Sequence, residues 1–242
     1  MKGVFFMDFI NYIQIALALA MIVLAVRLYS KAFGRQDYSP VRLMARVAIF
    51  GAMSIILYTV PVFKFSLPIF PSFLEIHFDE VPAFIAGFAY GPLCGFLVIA
   101  LKTVAKLPMS STLMVGEVTD FILSSVYVCT ASFIYKRIRN LKGVAIGFGV
   151  ATLLQVIIAM FINVYLMIPF YANVMGFPIP ALLSLMQKAI PSITDTGWSY
   201  AFLAVLPFNL LKDALVIVIT FIIYRSLHLF LRFEGGRKKK RG

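Results

Sequence analysis

Val81-Pro82-Ala83-Phe84-Ile85-Ala86-Gly87-Phe88-Ala89-Tyr90-Gly91-Pro92-Leu93-Cys94-Gly95-Phe96-Leu97-Val98-Ile99-Ala100-Leu101 has the hydropathy of a single membrane span, but Gly91-Pro92 interrupts its centre. Proline removes a backbone donor and disfavours helical geometry in the residue before it. The flanking charges decide between one crossing and two. Upstream, Lys64 faces Glu75, Asp79 and Glu80, an acidic balance expected of an external loop. Downstream, after a further span over Val118–Tyr135, Lys136, Arg137, Arg139 and Lys142 form a short basic loop that belongs in the cytoplasm. An odd number of crossings is therefore required between them. The run divides into a short helix over Pro82–Tyr90, a turn at Gly91-Pro92 and a returning helix over Leu93–Ala105, followed by an external connection over Lys102–Gly116. At about 1.5 Å per residue the short helix cannot cross the hydrocarbon alone, so the hairpin starts below the surface, shielded by neighbours. Short helices interrupted by Gly or Pro point to binding sites in transporters.

The rest of the chain fits that frame. Of its 242 residues, 62% are hydrophobic and only 13% charged, which excludes an ordinary soluble domain. Long apolar runs without a ten-residue alternation favour a helical bundle over a β-barrel. The formal charge of +12 lies between and after the spans, as an orientation signal does, and does not indicate nucleic acid. Cys94 and Cys129 fall in apolar stretches, where free thiols are expected, and His77 and His228 lack metal-ligand spacing. No Gly-rich phosphate loop is present, so the chain shows no ATPase of its own.

The expectation is an all-α polytopic membrane protein of seven segments, N-terminus outside and C-terminus cytoplasmic. Residues 1–34 form an extra N-terminal transmembrane helix and cytoplasmic linker, 35–233 a six-helix membrane domain, and 234–242 a basic cytoplasmic tail. Within Val47–Val60, Ala48 and Ala52 share a helical face with Gly51 alongside, a small-residue pattern that lets another helix approach or is mere background. In the external loop, Leu74, Ile76 and Phe78 alternate with polar residues as in a half-buried extended strand, either a lid or a loop packed on the bundle. Ala172–Tyr200 reads as a long, nearly neutral external segment, with Trp198 and Tyr200 as interface aromatics.

Several polar residues sit where lipid would penalise them. Lys212 and Asp213 open the last apolar run, and ionisable groups there must face protein, ligand or water. Asp213, about 100° round the helix from Lys212, is better read as a packing partner. Asn163, in the outer half of Val144–Met167, needs a partner helix or a ligand. Glu117 and Asp120 share one face at a helix start, where carboxylates suit either capping or acid–base work; no nucleophile or metal partner lies nearby, so catalysis is not expected.

Taken together and in order, certain stretches resemble the substrate-binding S components of energy-coupling factor (ECF) transporters, and most closely the riboflavin-specific ones, over Val41 to Arg232. They are Leu67-Pro68-Ile69-Phe70-Pro71-Ser72-Phe73-Leu74-Glu75-Ile76-His77-Phe78-Asp79-Glu80, Phe88-Ala89-Tyr90-Gly91-Pro92, Val115-Gly116-Glu117-Val118-Thr119-Asp120-Phe121, Asn163 with Pro169 and Tyr171, and Leu206-Pro207-Phe208-Asn209-Leu210-Leu211-Lys212. The resemblance implies a six-helix bundle in the bacterial cytoplasmic membrane, with no enzymatic activity and no cofactor, that binds riboflavin outside as a transported ligand. It further implies delivery together with a T subunit and two cytoplasmic ATPases. It assigns substrate binding to Phe73, Leu74, Glu75, Glu117, Asn163, Phe208, Asn209 and Lys212, and T-subunit docking to Ala48 and Ala52. Apolar walls from Phe65, Phe73, Tyr165 and Phe208 suit a flat flavin. His77 and Glu80 stand where the family loop usually carries aspartates, and Asp120 where it carries asparagine; an extra anion there would favour a different donor pattern on the ligand. The alternatives are an S component for another vitamin (pantothenate, folate or a thiamine precursor) and a membrane scaffold without transport.

Overall fold

The structure, a computed structural model, describes residue 27 and residues 39–238, with side chains described no further than Ile223. The expected N-terminal span lies outside the described residues. Helix α1 (Pro40–Thr59) starts with proline in its first turn, where a missing N–H costs nothing, and begins well before the expected Val47. A two-residue ladder follows, β1 (Phe65–Ser66) antiparallel to β2 (Glu75–Ile76), with Phe65 opposite Ile76. Next come α2 (Glu80–Tyr90), α3 (Pro92–Lys106) and α4 (Val115–Arg137). Then α5 (Leu141–Ile162), a π-helical turn (Asn163–Met167) and α6 (Ile168–Asn173) run as one 33-residue rod. After α7 (Ile179–Ala189), α8 (Trp198–Tyr200) leads through a second π-helical turn (Ala201–Val205) into α9 (Leu206–Lys238). Among the described residues five helical runs are long and apolar enough to cross a membrane. With the short α2 they make the six-helix bundle.

The expected break in the Val81–Leu101 run is present. α2 ends at Tyr90, α3 begins at Pro92, and Gly91 between them takes φ 97°, a conformation that a Cβ would oppose. Proline alone does not make the turn; the glycine before it carries the reversal. The two limbs then close tightly, because a Cβ on Gly95 would sit 2.9 Å from the Ala83 carbonyl oxygen and from Val128. Gly95→Val is expected to push α2 away from α3 and cost about 1–3 kcal/mol, read as a lower melting temperature in detergent. The short helix is shielded as its length demands. Val81 to Phe88 are all buried, and Phe84 packs edge-on to Tyr127 (centroids 4.7 Å apart) and against Phe148 (4.9 Å). α2 is the core around which α3, α4, α5 and α9 assemble.

The small residues of α1 divide between two partners. Gly51 is buried against Leu101 of α3, while Ala48 and Ala52 remain exposed beside Ile49, Met53 and Ile56. The expected external segment Ala172–Tyr200 holds a helix, since α7 seats Leu182 and Met186 in the bundle, one turn apart. One other expectation needs correction. Tyr200 is no interface aromatic: it is fully buried, whereas Trp198 stays partly exposed against Phe161, Tyr165 and Phe202. The backbone of α9 also stays helical into the segment expected as a separate basic tail.

Candidate ligand-binding site

At the loop end of the bundle, polar groups from α1, the loop, α2, α3, α4 and α9 converge. Lys102 of α3, expected in an external connection, is instead fully buried within the helix. Its ammonium bonds the Asp79 carboxylate, donates to Asp120 of α4 at 2.9 Å and to Ser124 at 3.3 Å, and lies 4.6 Å over the Tyr58 ring of α1. His77 of the loop bonds Asp79 through Nδ1, and its Nε2 faces Asp120 at 3.7 Å. Ser54 of α1 donates to the Asp79 carbonyl oxygen at 2.5 Å. Burial works against the charge on Asp79, but His77 and Lys102 outweigh it and hold its carboxyl well below the ordinary carboxylate range. Strand alternation places Glu75 outward and Ile76 inward as expected. His77 and Asp79 are buried because Lys102 waits beneath them.

A second ion pair continues the layer. Lys212 of α9 donates to Glu80 Oε1 at 2.8 Å, and Ser124 donates to the same oxygen at 3.1 Å. The buried charge at the start of the last helix is thus matched by an acid at the N-terminus of α2. His77, Asp79 and Glu80 bring three potential metal donors within 4.8 Å of one another. Lysines already hold the two carboxylates, so this group is a salt-bridge network and not an open metal centre.

Around this layer lie the other residues singled out from the sequence. Asn209 accepts from Gln155 of α5 at 3.1 Å and donates to the Val205 carbonyl. Asn163 donates to the Ala159 carbonyl at 2.9 Å and accepts from the Tyr200 hydroxyl at 3.3 Å. Asn163 opens the first π-helical turn, and Asn209, four residues past the second, bonds the carbonyl of that turn's last residue, Val205. Extra-residue bulges of this kind recur at functional sites because they re-aim side chains. Phe73 lies 6.5 Å from Tyr171 and 6.2 Å from Tyr200, centroid to centroid. Leu74 packs on both the Tyr200 cluster and the cluster of Phe70, Ile76 and Phe208, and so joins the loop to α9.

Glu75 and Glu117 lie differently. Glu75 is exposed and faces Lys64 at 3.4 Å across the ladder. Glu117 accepts from Ser110 at 2.6 Å and Thr112 at 3.1 Å, and Ser110 in turn accepts from the Met114 N–H at 2.8 Å. These bonds pin a turn in which Leu113 and Met114 both take positive φ, a conformation costing each about 1–3 kcal/mol. Glu117 and Asp120 share a helical face yet serve different partners. Tyr165 stacks on Phe161 at an exposed surface and not beside Phe73.

Lys102 and Tyr200 are the residues that sequence reading missed. The signal for Lys102 was available: a lysine in the returning helix, within the same layer as Asp79 and Asp120. A family model described as the ECF transporter substrate-specific component matches residues 42–224, more than half of the chain. The chain belongs to that family. Riboflavin transporter FmnP of Bacillus subtilis is 27% identical to this S component over 185 residues, covering 75% of the chain and 91% of the relative. Riboflavin transporter RibU of Staphylococcus aureus is 26% identical over 187 residues, covering 77% and 92%, and RibU of Streptococcus thermophilus 27% identical over 195, covering 78% and 84%. A solved structure described as the S component of a bacterial ECF transporter superposes with a TM-score of 0.64 at 23% identity, over 80% of this chain and 99% of the other. That likeness bears on the fold. At the family level the role is that of a transporter subunit and not of an enzyme.

Proposed function

We propose that this S component binds riboflavin at the loop end of the bundle and delivers it inward as part of an ECF transporter. The observation that supports the reading is Leu74 packed on both the Phe208 cluster and the Tyr200 cluster that Phe73 joins and Asn163 bonds, in a chain matched over most of its length by proteins named as riboflavin transporters; Asn209 and Lys212 are proposed to add donors from the same helix as Phe208. A flat heteroaromatic ring needs apolar walls and a few convergent donors, and these residues supply both. Glu75 and Glu117 act at the rim and in the loop that closes beside it. No cofactor takes part; riboflavin is the cargo.

The acidic loop faces the outside and the basic Lys136–Lys142 loop the cytoplasm, with the N-terminus outside and the C-terminus inside. Asp120 does not add a free anion to the ligand layer, because Lys102 and His77 take it up. Its departure from the family pattern is therefore compatible with a flavin. Titrating riboflavin with the purified protein tests the reading through quenching of flavin fluorescence. Saturable quenching supports it; stabilisation by pantothenate, folate or a thiamine precursor but not by flavins would replace it.

The exposed Ala48–Ala52 face of α1 receives the T subunit, which carries two ATPases. Close helix approach requires small side chains there. Replacing both alanines by tryptophan is expected to abolish co-purification of the T subunit while riboflavin binding persists; retained co-purification would move the docking face elsewhere.

A further inference from the structure

One turn inward from the Gln155–Asn209 hydrogen bond, the facing positions of antiparallel α5 and α9 are Thr152 and Asp213. Asp213 is 1% exposed, and neither carboxylate oxygen has a hydrogen-bond partner of ordinary geometry among the described residues; the Thr152 hydroxyl alone comes close enough to interact. Unpartnered buried oxygens gather about it: Thr152 Oγ1 beside it, Glu80 Oε2 within its electrostatic reach, and Gln155 Oε1 on the next turn. The Tyr127 hydroxyl bonds the Asp213 main-chain oxygen at 3.3 Å and leaves the carboxylate untouched. Lys212, the adjacent cation, is held by Glu80.

Charge counting leads to the same place. Asp79, Glu80, Asp120 and Asp213 are four carboxylates, facing Lys102, Lys212 and His77. Even with His77 counted as a cation, one negative charge stays uncompensated. Asp213 is the carboxylate without an ion-pair partner. An isolated buried carboxylate costs many kcal/mol, whereas surroundings rich in oxygens and poor in donors suit a small hard cation.

We infer that Asp213 binds a sodium-like monovalent cation in the α5–α9 seam, with Thr152, Gln155 and Glu80 oxygens completing its shell. The ion neutralises the surplus charge and ties α9 to α5 and α2 beneath the Lys212 layer. With His77 counted as a cation a divalent ion would leave the cluster net positive, and the neutral threonine and amide oxygens match the weaker demand of a monovalent one. The site adjoins the vitamin layer through Glu80 and Gln155 but does not depend on the identity of the vitamin.

Radioactive sodium binding to the purified full-length protein, without any vitamin, tests the inference. One displaceable sodium ion per chain is expected, and lost in Asp213→Asn. At ten times the binding midpoint, sodium should raise the melting temperature by about 3–6 °C over an equal concentration of choline. Thr152→Val, which keeps shape and charge, should weaken sodium binding about tenfold, the scale of one lost polar contact, and serves if Asp213→Asn fails to fold. The inference is overturned if the wild-type protein neither binds sodium nor responds to it, if both variants bind as the wild type does, or if stability follows pH alone, which would make the neutralising ion a proton.

Discussion

Lys102→Met lowers the melting temperature more than any other single substitution in the loop-end layer. The lysine is buried and neutralises Asp79 and Asp120 together, with Ser124 completing its donors. Removing one partner of a buried pair leaves an uncompensated charge and costs about 3–5 kcal/mol, far more than the pair itself contributes. Methionine fills the same volume, so the loss is electrostatic and not a cavity. The consequence also reaches the loop, because Asp79 anchors His77 and receives the Ser54 bond. Thermal unfolding in detergent, followed by size-exclusion fluorescence, is the measurement. Adding Asp79→Asn to Lys102→Met should recover part of the loss, since it removes one stranded charge. A melting temperature within a degree or two of wild type for Lys102→Met would show that water or ions compensate the acids without the lysine.

Lys212→Met weakens riboflavin binding by about 1.5–3 kcal/mol, roughly 10- to 150-fold, the value of a hydrogen bond from a charged donor. Because Lys212 also pairs with Glu80, the single variant mixes a lost ligand contact with a stranded acid. Glu80→Gln separates the two. If Lys212 touches the vitamin, the double variant Glu80→Gln/Lys212→Met stays as weak as Lys212→Met alone. If Lys212 merely neutralises Glu80, the double variant returns to near wild-type affinity, and the lysine leaves the ligand site. Pairwise coupling of this size is what a double-mutant cycle resolves between contacting residues.

Much of this architecture was legible before any coordinates. Hydropathy gave the spans, and the charges of the connecting loops required an odd number of crossings between Glu80 and Lys136, which forced the break at Gly91-Pro92. The helix ends at Tyr90 and Pro92 follow from it. The same reasoning marked Lys212, Asn163 and Asp213, because a polar group in an apolar run is costly and must find a partner.

The partners themselves were not legible, since they lie far apart in the chain. Glu80 and Lys212 are separated by 132 residues and Asp79 and Lys102 by 23, and no local pattern encodes such pairings. Lys102 was mistaken for a loop residue because charge ordinarily ends a membrane span, whereas here α3 continues past it with two carboxylates in place to receive it. Tyr200 passed for an interface aromatic because only packing distinguishes a ring at the membrane surface from one bonded to Asn163. The sequence by itself determined the helical hairpin between Glu80 and Lys136, the position of the broken helix and the family resemblance, all of which depend on local hydropathy, backbone constraint and motif order. Tertiary structure alone decided which buried charges neutralise one another and that Asp213 is left without an ion-pair partner among the described residues, because electrostatic energy in a low-dielectric interior depends on distances that chain order does not set.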